Sequence, residues 1–229
     1  MALHIGIANI GTDNSKTGIP TISTLAVTTC KNCANCEKAC YAKKCENLYP
    51  AVKAMHAANT EAIENDLQQW GRDMVAYLAA YRPDAIRLNE SGDFNTKNSA
   101  EYFDLVMRLA IAFPRTVFQG MTKCDDIVNA WIDAHGLNTR YGLPENVRLS
   151  FSDFDGLNNP HGLPVSYIRT KADKKAGVPY AGTRCPNQVQ KEAMKKNRAF
   201  KPVKKWQCID CYKHNLGCFA NANMVWDEH

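Results

Sequence analysis

The chain has 229 residues, of which 45% are hydrophobic and 22% charged, and this size and composition suit one globular domain over residues 1–229. No uninterrupted apolar stretch is long enough to span a bilayer, which argues against a membrane partner. The first residues carry neither a basic segment nor the apolar segment of a secretion signal, so we expect a cytoplasmic protein.

The net charge of +5 is unevenly distributed. Residues 171–205, called the basic segment below, contain eleven Lys and Arg but only two acidic residues, Asp173 and Glu192. A segment of this kind can bind nucleic acid or another acidic partner. It is also typical of a solvated, partly helical surface. We favour the surface interpretation, because no aromatic residues alternate with the basic ones to form a stacking platform.

Strand-like and helix-like segments alternate from the beginning of the chain. Residues 21–28 are rich in β-branched side chains and predict a first strand, which a cysteine-rich loop follows at once. Apolar residues at helical spacing predict a long helix from Pro50, which suits a first helical turn, to Pro83, which ends it. A second strand is predicted at residues 85–89.

The second half of the chain continues this alternation. Strands are predicted at residues 116–121, 147–151 and 165–169, and more weakly at 201–207. Asn98 and Glu101 resemble a capping box for the helix before the first of these strands. Thr122 and Asp125 predict the cap of the next helix, which Gly136 ends.

Crossovers of this length between strands imply parallel strands with helices packed outside them. We predict an α/β fold, a parallel (β/α) partial barrel or TIM-barrel-like single domain with cysteine-rich cluster loops. An open doubly wound sheet is the alternative that the pattern leaves open. In either architecture the loops after the carboxyl ends of the strands lie at one edge, and function is expected there.

Nine of the ten cysteines fall in two short segments. The N-terminal run comprises Cys30, Cys33, Cys36, Cys40 and Cys45, and the C-terminal set comprises Cys185, Cys208, Cys211 and Cys218. Thiolates at intervals of two and three residues allow one loop to wrap around a metal centre, and the N-terminal spacing is typical of cubane ligands. We therefore predict one or two [4Fe–4S] clusters, with these nine cysteines as candidate ligands.

Zinc binding, disulfides and isolated buried thiols are the other possible roles of the cysteines. Zinc is the rival metal, because four-cysteine sites also use C-x2-C pairs, and at the C-terminal set His214 could replace one thiolate. Disulfides are disfavoured in a reducing cytosol. Cys124 stands alone and predicts a small buried side chain. Ligand number matters for function, because four thiolates fill every iron of a cubane whereas three leave one iron open.

Polar residues in and after the predicted strands are candidate cofactor contacts. They are Asn89, Glu90, Ser91, Asp93, Gln119, Lys123 and Ser152. Such residues also occur in ordinary turns after buried strands. Arg87 and Arg148, however, each begin a polar series at every second position, which would line one side of its strand. Polar runs are unexpected inside a parallel sheet and predict a barrel interior that holds a polar ligand. No residue is assigned as catalytic.

Cys36 and Cys40, with an aromatic residue after them, resemble the C-x3-C-Φ-x-C motif of radical S-adenosylmethionine (SAM) enzymes. Lys43 stands where the third cysteine of that motif would be, so an upstream cysteine or Cys45 would supply the third ligand. Residues 90–93 resemble the turn that holds the amino group of SAM. The resemblance implies an N-terminal cluster whose open iron binds SAM, and an auxiliary C-terminal cluster.

The stretches NSKTGIPT, CYAKK, RLNESGDF and FQGMTK resemble a bacteriophage family known as gene product eighty-eight. The likeness covers roughly residues 14–123, and its cysteine pattern would fall on Cys30, Cys36 and Cys40. It implies a phage or prophage origin, hence the cytoplasm of the host cell, and a cluster-binding α/β fold. It implies no settled activity.

Together these patterns predict a radical-SAM-like iron–sulfur enzyme with an unidentified small-molecule substrate and electron donor. One alternative is an iron–sulfur redox or structural phage protein that does not use SAM. A second alternative is a zinc-stabilised phage protein that binds nucleic acid through the basic segment.

Overall fold

The computed structural model describes residues 2–12, 17–33, 36–197, 201–202 and 204–227. These residues form one nine-stranded sheet. Its strands are β1 (Ala2–Ile5), β2 (Ala8–Gly11), β3 (Thr21–Ile22), β4 (Ala85–Leu88), β5 (Val117–Thr122), β6 (Val147–Ser152), β7 (Val165–Arg169), β8 (Thr183–Arg184) and β9 (Met224–Asp227). The spatial order is β1-β2-β3-β4-β5-β6-β7-β9-β8.

Helices connect most of the strands. They are α1 (Tyr41–Leu48), α2 (Pro50–Asn65), α3 (Leu67–Tyr81), α4 (Ser99–Ala112), α5 (Asp125–His135), α6 (Lys171–Ala176), α7 (Pro186–Lys196) and α8 (Cys208–Lys213), with short 3-10 turns at Glu37–Ala39 and Gly217–Ala220. Among the described helices, none combines the length and apolar character needed to cross a membrane.

The sheet is mixed but mostly parallel. β1, β2 and β3 pair antiparallel, and every later pair of neighbours is parallel. From β3 to β7 the spatial order equals the chain order, so crossovers of the usual right hand place their helices on one face. This order differs from a doubly wound sheet, in which the direction of winding reverses. The parallel α/β prediction is confirmed. The described sheet is open, with β1 and β8 at its edges, so closure into a barrel is not confirmed.

The main core lies between the sheet and the helix layer. Ile86 and Phe118 project from β4 and β5 against the fully buried side chains of Trp70, Tyr102 and Phe103. Burial of an aromatic or large aliphatic side chain of this kind stabilises the fold by roughly 1.5–3 kcal/mol. The core therefore fixes which side of each strand faces the helices, and leaves the alternate residues on the opposite face.

The C-terminal segment covers that opposite face of the sheet. Ala85, the neighbour of Ile86 in β4, packs with Ile19, Cys211 and Phe219 in a second apolar cluster. Arg148 on β6 donates from Nε to the carbonyl oxygen of Phe219 at 3.1 Å. The C-terminal cysteines are consequently held against the sheet on the side away from the main helix layer.

The weak strand predicted at residues 201–207 is wrong, because its described residues form no strand. Instead of a neighbouring strand, the side chain of Gln190 on α7 forms the hydrogen bonds of the main chain there. Its Nε2 donates to the carbonyl oxygen of Lys204 at 2.8 Å, and its Oε1 accepts from the amide of Trp206 at 2.8 Å. Val203 lies outside the described residues.

Two predicted elements near the N-terminus are shorter than expected. The first strand ends at Ile22, because the amide of Thr24 already bonds to the carbonyl oxygen of Ser91 in the turn after β4, at 3.0 Å. The long helix is two helices, α2 and α3. Asp66 separates them and caps α3 by accepting from the amide of Gln69 at 3.0 Å.

The predicted helix caps are only partly correct. Asn98 precedes α4 but makes no capping hydrogen bond; its Nδ2 donates to the carbonyl oxygens of Ile63 and Glu64 instead. Helix α5 follows Cys124 rather than a Thr122 cap, and Gly136 ends it as predicted. The β1–β2 hairpin and helix α1 were not predicted.

Candidate functional site

Four N-terminal cysteines lie together in and after the loop that leaves β3. The Sγ atoms of Cys33 and Cys36 are 3.8 Å apart. Burial, then the thiols of Cys36 and Cys40, raise the pKa of Cys33 to about 11. Burial raises the pKa of Cys30 to about 12, and Asp93, Cys33 and Cys36 contribute to the increase. These interactions link Cys30, Cys33, Cys36 and Cys40, which we call the N-terminal cysteine group.

One side of this group is open to solvent. Cys40 immediately precedes α1, and its Sγ accepts from the amide of Lys43 at 3.4 Å. Beside it lies an open cavity of about 400 Å³ lined by Glu37, Lys38, Cys40, Lys43, Lys44 and Asn47. Cys45 lies further along α1 and is exposed. Glu37 forms an ion pair with Lys43, so Lys38 and Lys44 supply the net positive charge that this cavity offers an anionic molecule.

A buried carboxylate holds the cysteine loop against the turn after β4. Oε1 of Glu46 accepts from the amide of Ala26 at 3.0 Å and from the hydroxyl of Ser91 at 2.8 Å, and it lies 2.7 Å from Nδ1 of His56. Both Glu46 and His56 are buried. Sequence reasoning missed this pair. The one available signal was that Glu46 lies four residues after Ala42, on the buried face of α1.

The turn after β4 is fitted closely to the same loop. Tyr41 donates its hydroxyl to the carbonyl oxygen of Glu90 at 2.6 Å. Gly92 adopts a left-handed conformation with φ of +74°, and a Cβ there would collide with the hydroxyl oxygens of Thr24 and Thr29. A side chain at this position is therefore excluded by both backbone conformation and space.

Asp93 connects this turn to the end of β5. Its Oδ1 accepts from the amide of Phe94 at 2.8 Å and from the hydroxyl of Thr122 at 2.6 Å, and its Oδ2 accepts from the amide of Lys123 at 2.8 Å. Burial raises the pKa of Asp93, although these hydrogen bonds act in the opposite direction. These contacts agree with the alternative role of Asp93 as a turn residue after a buried strand, whereas its role as a cofactor contact stays a prediction.

Lys123 brings a positive charge to the N-terminal cysteine group. Its Nζ lies 3.5 Å from Cys36 Sγ and 3.3 Å from the carbonyl oxygen of Asn32. The cysteine loop, the turn after β4 and the end of β5 therefore meet at the carboxyl edge of the parallel strands, as the strand order predicts.

The polar side chains of the strands form a row on the face opposite the main helix layer. Arg87, Gln119 and Arg148 are aligned across β4, β5 and β6. Arg87 Nη1 donates to Gln119 Oε1 at 3.0 Å, and Ser150 and Ser166 share a hydrogen bond of 3.0 Å. The predicted alternation agrees with the positions of Arg148 and Ser150 in β6, but in β4 it holds only for Arg87, because that strand ends at Leu88.

The C-terminal cysteines also form one group, Cys185, Cys208, Cys211 and Cys218, called the C-terminal cysteine group. Burial raises the pKa of Cys218 to about 12; Arg87 lowers it, and the other three thiols add to the increase. Burial also raises the pKa of Cys211, whose Sγ accepts from Trp206 Nε1 at 3.1 Å. Cys185 immediately precedes α7, Cys208 and Cys211 lie on α8, and Cys218 lies in the turn Gly217–Ala220.

Four further residues considered in the sequence analysis are not members of either cysteine group. Cys124 is fully buried in the main core, which confirms its prediction as a small buried side chain. Asn89 accepts from the Tyr102 hydroxyl at 3.4 Å, on the helix side of the sheet. Ser152 ends β6 opposite Ser166. His214 lies against the Trp206 ring, with centroids 5.9 Å apart.

The thiols of the two groups do not have the arrangement of a metal site in this structure. None of the ten cysteines, all of which the structure describes, forms a disulfide, and within the described residues no three His, Cys, Asp or Glu side chains stand in a metal-binding arrangement. Tetrahedral zinc with Zn–S bonds near 2.3 Å separates its sulfurs by about 3.8 Å. The Cys33–Cys36 separation matches that value. In a cubane each thiolate binds a different iron, so these two sulfurs would have to move apart.

Acidic residues partly neutralise the basic segment. Lys174 and Arg184 each form ion pairs with both Glu192 and Asp227. Hydrogen bonds, above all from Arg184, lower the pKa of Glu192 to about 2. Arg198 lies outside the described residues. These pairs agree with the solvated-surface interpretation of the segment.

A family model described as Gene product 88 matches residues 7–224 of the chain, which is nearly its whole length. The chain belongs to the gene product 88 family. This agrees with the resemblance carried by CYAKK, RLNESGDF and FQGMTK, and with a phage origin; residues 14–16 of NSKTGIPT lie outside the described residues. No curated protein and no solved structure matches the chain. The likeness to radical SAM enzymes gains no support from the family match and stays a prediction.

Proposed function

We propose that this gene product 88 protein is an iron–sulfur protein with two centres that transfers electrons. The observation that carries the proposal is the gathering of nine cysteines in two segments, with the Cys33 and Cys36 sulfurs 3.8 Å apart at the carboxyl edge and Cys211 packed in the apolar cluster on the sheet face. Cys30, Cys33, Cys36 and Cys40 would hold the N-terminal centre, and Cys185, Cys208, Cys211 and Cys218 the C-terminal centre. A [4Fe–4S] cluster, when bound, accepts and releases one electron.

Groups around the thiols suit an anionic centre. Lys123 lies beside Cys36, and Trp206 donates an N–H to the Cys211 sulfur. Hydrogen bonds and positive charge at ligand sulfurs are means by which proteins tune cluster potential. The raised pKa values of Cys30 and Cys218 mean that these thiols carry protons before metal binds, so loading releases protons and weakens at low pH.

The radical-SAM-like form of this function receives less support than electron transfer. Four thiols in the N-terminal group would fill every iron, whereas SAM needs an open one. Asp93, predicted beside the SAM amino group, already accepts three hydrogen bonds, and the Ser91 hydroxyl is engaged by Glu46. SAM binding would require that one thiol stay unligated and that these side chains exchange partners. We also propose that the sheet is a partial barrel, because its strands from β3 to β7 follow one another in chain order.

Zinc is the second candidate, because the 3.8 Å between Cys33 and Cys36 suits two thiolates on one tetrahedral ion. In that case the protein is a zinc-stabilised phage protein, with nucleic acid as its candidate partner. The ion pairs of the basic segment leave less free positive charge for such a partner. We therefore expect any DNA affinity to be weak and to fall steeply with salt.

Metal analysis of anaerobically purified full-length protein separates these candidates. We expect about eight iron atoms and as much acid-labile sulfide per chain, with little zinc. Electron paramagnetic resonance (EPR) of the dithionite-reduced protein, recorded with and without SAM, then tests the mechanism. A spectrum that SAM leaves unchanged agrees with electron transfer, and a spectrum that SAM shifts would favour the radical enzyme. Stoichiometric zinc without sulfide would contradict the iron–sulfur proposal.

A further inference from the structure

Two buried N–H groups on the polar face of the sheet lack acceptors. Among the described residues, neither Arg87 Nε nor Gln119 Nε2 has a hydrogen-bond partner, although both atoms are shielded from solvent. Gln119 is only 1% exposed. An unpaired buried donor costs about 1–3 kcal/mol, so two adjacent ones indicate an acceptor that binds there.

The two side chains are held in fixed positions. Arg87 Nη1 donates to Gln119 Oε1 at 3.0 Å, and the two residues are opposite one another in the β4–β5 ladder. That hydrogen bond uses the amide oxygen of Gln119, so its NH2 group is left as donor. The pair therefore presents donors and a permanent positive charge, which together select an anion.

The groups surrounding Arg87 belong to both cysteine-containing regions. Burial alone would lower the pKa of Arg87, but Cys208, Tyr41, Cys218 and Glu90 raise it above its ordinary value. Cys208 and Cys218 are members of the C-terminal cysteine group. Tyr41 follows Cys40 of the N-terminal cysteine group and donates its hydroxyl to the carbonyl oxygen of Glu90.

The packing of the strands gives the same placement of Arg87. Ala85, two residues before Arg87 on the same side of β4, packs with Cys211 and Phe219, and Arg148, at the other end of the Arg87–Gln119 row, donates to the carbonyl oxygen of Phe219. The row therefore lies against the segment that carries the C-terminal thiols.

We propose that Arg87 and Gln119 form the anion-binding floor of the C-terminal cysteine group, donating hydrogen bonds to the anionic centre that Cys208 and Cys218 help to hold. This inference rests on the proposed iron–sulfur function. Arg87 is a positioning and tuning residue rather than a ligand. Its charge stabilises the reduced, more negative state of the centre and so raises the reduction potential.

The test is a redox titration of anaerobically purified full-length protein, followed by EPR. Cys36→Ser and Cys211→Ser variants assign the signals to the N-terminal and C-terminal centres. We expect Arg87→Gln to reduce the ratio of reduced to oxidised C-terminal centre at least tenfold at a fixed potential, a shift of about 59 mV to more negative values. Arg108→Gln is the matched control, because Arg108 is an exposed arginine on α4 paired with Asp104, and its loss should leave the potential unchanged.

Iron content distinguishes failure of this inference from failure of the proposed function. Wild-type protein without iron would overturn both. Iron-loaded Arg87→Gln protein with the wild-type potential would overturn the inference alone. If Arg87→Gln fails to load iron, the Gln119→Leu variant provides the test, because it keeps the charge of Arg87 but removes a hydrogen-bond donor. We expect the reduction potential of the C-terminal centre to shift in the same direction by a smaller amount. An unchanged potential would overturn the inference.

Discussion

The two cysteine groups differ in how the fold holds them. The N-terminal group lies at the carboxyl edge of the sheet, beside an open cavity, and polar contacts through Glu46, Asp93 and Lys123 hold its surroundings. The C-terminal group lies on the sheet face, where Cys185 and Cys211 are buried and Cys211 packs against Phe219. The four N-terminal thiols are all half-buried, whereas two of the four C-terminal thiols are buried and Cys211 belongs to an apolar cluster.

This difference predicts a division of labour between the two proposed centres. An accessible centre beside positive side chains can exchange electrons with an external carrier. A buried centre that contacts the apolar cluster on the sheet face is better suited to stabilise the fold and to store an electron. The following predictions test that division, beginning with the largest expected effect.

Loss of a C-terminal cysteine should destabilise the protein far more than loss of an N-terminal one. Cys211→Ala leaves a cavity beside Ala85 and Phe219 and an unpaired Trp206 N–H, so we expect a loss of more than about 3 kcal/mol in unfolding free energy. Cys33→Ala, in a half-buried loop, should cost about 1 kcal/mol. Anaerobic urea unfolding measures both. Equal losses would contradict the division.

Gly92→Ala should disturb the N-terminal region next most strongly. The added Cβ meets Thr24 and Thr29 in a left-handed backbone, and we expect a cost of about 2–4 kcal/mol. Gly156→Ala is the matched control, since its φ is +86° but no atom lies within 4 Å of the new Cβ. It should cost only about 1 kcal/mol. Thermal unfolding compares the two, and similar losses would show that the close fit around Gly92 is unimportant.

Glu46→Gln should loosen the cysteine loop with a smaller effect on the whole fold. Replacing the carboxylate weakens its bonds to Ala26, Ser91 and His56, and we expect a loss of about 1–2 kcal/mol. Exchange of the Ala26 amide hydrogen should accelerate. Glu61→Gln, on the exposed face of α2, is the control. Unchanged exchange at Ala26 would mean that Glu46 does not anchor the loop.

Lys123→Gln should have the smallest effect on stability, within about 0.5 kcal/mol, because the side chain is partly exposed. Its charge lies 3.5 Å from the Cys36 sulfur, so the reduction potential of the N-terminal centre should fall while that of the C-terminal centre stays constant. Lys97→Gln, at an exposed position paired with Glu64, is the control. Equal shifts at both centres would refute a local effect.

The arrangement of the N-terminal site was largely accessible from sequence. β-branched runs between helical segments predict parallel strands, and parallel strands place the loops that follow them at one edge. That reasoning brought the cysteine loop, Asp93 and Lys123 together. The series predicted from Arg87 is correct for Arg87 alone, because β4 ends at Leu88 and Asn89 turns to the helix side with a positive φ. The observed polar row instead runs across the strands, from Arg87 to Gln119 and Arg148.

Features that depend on contacts between residues far apart in the chain could not be predicted from the sequence. The Glu46–His56 pair joins two helices through a buried hydrogen bond, and no spacing rule for metal ligands or catalytic residues detects it. Lys204 and Trp206, in a segment with β-like sequence, bond through their main chain to the side chain of Gln190 on α7, so tertiary hydrogen bonds override the local preference there. Asp66 interrupts an apolar periodicity that otherwise continues through α2 and α3.

The central claim is that each group of four thiols binds its own iron–sulfur centre. Mössbauer spectroscopy of ⁵⁷Fe-labelled wild-type, Cys36→Ser and Cys211→Ser proteins tests it most directly. We expect a [4Fe–4S] spectrum in the wild type, and about half of its iron and sulfide in each variant, lost from a different centre in each. Loss of all iron in either variant, or wild-type protein that contains zinc in place of iron, would contradict the claim.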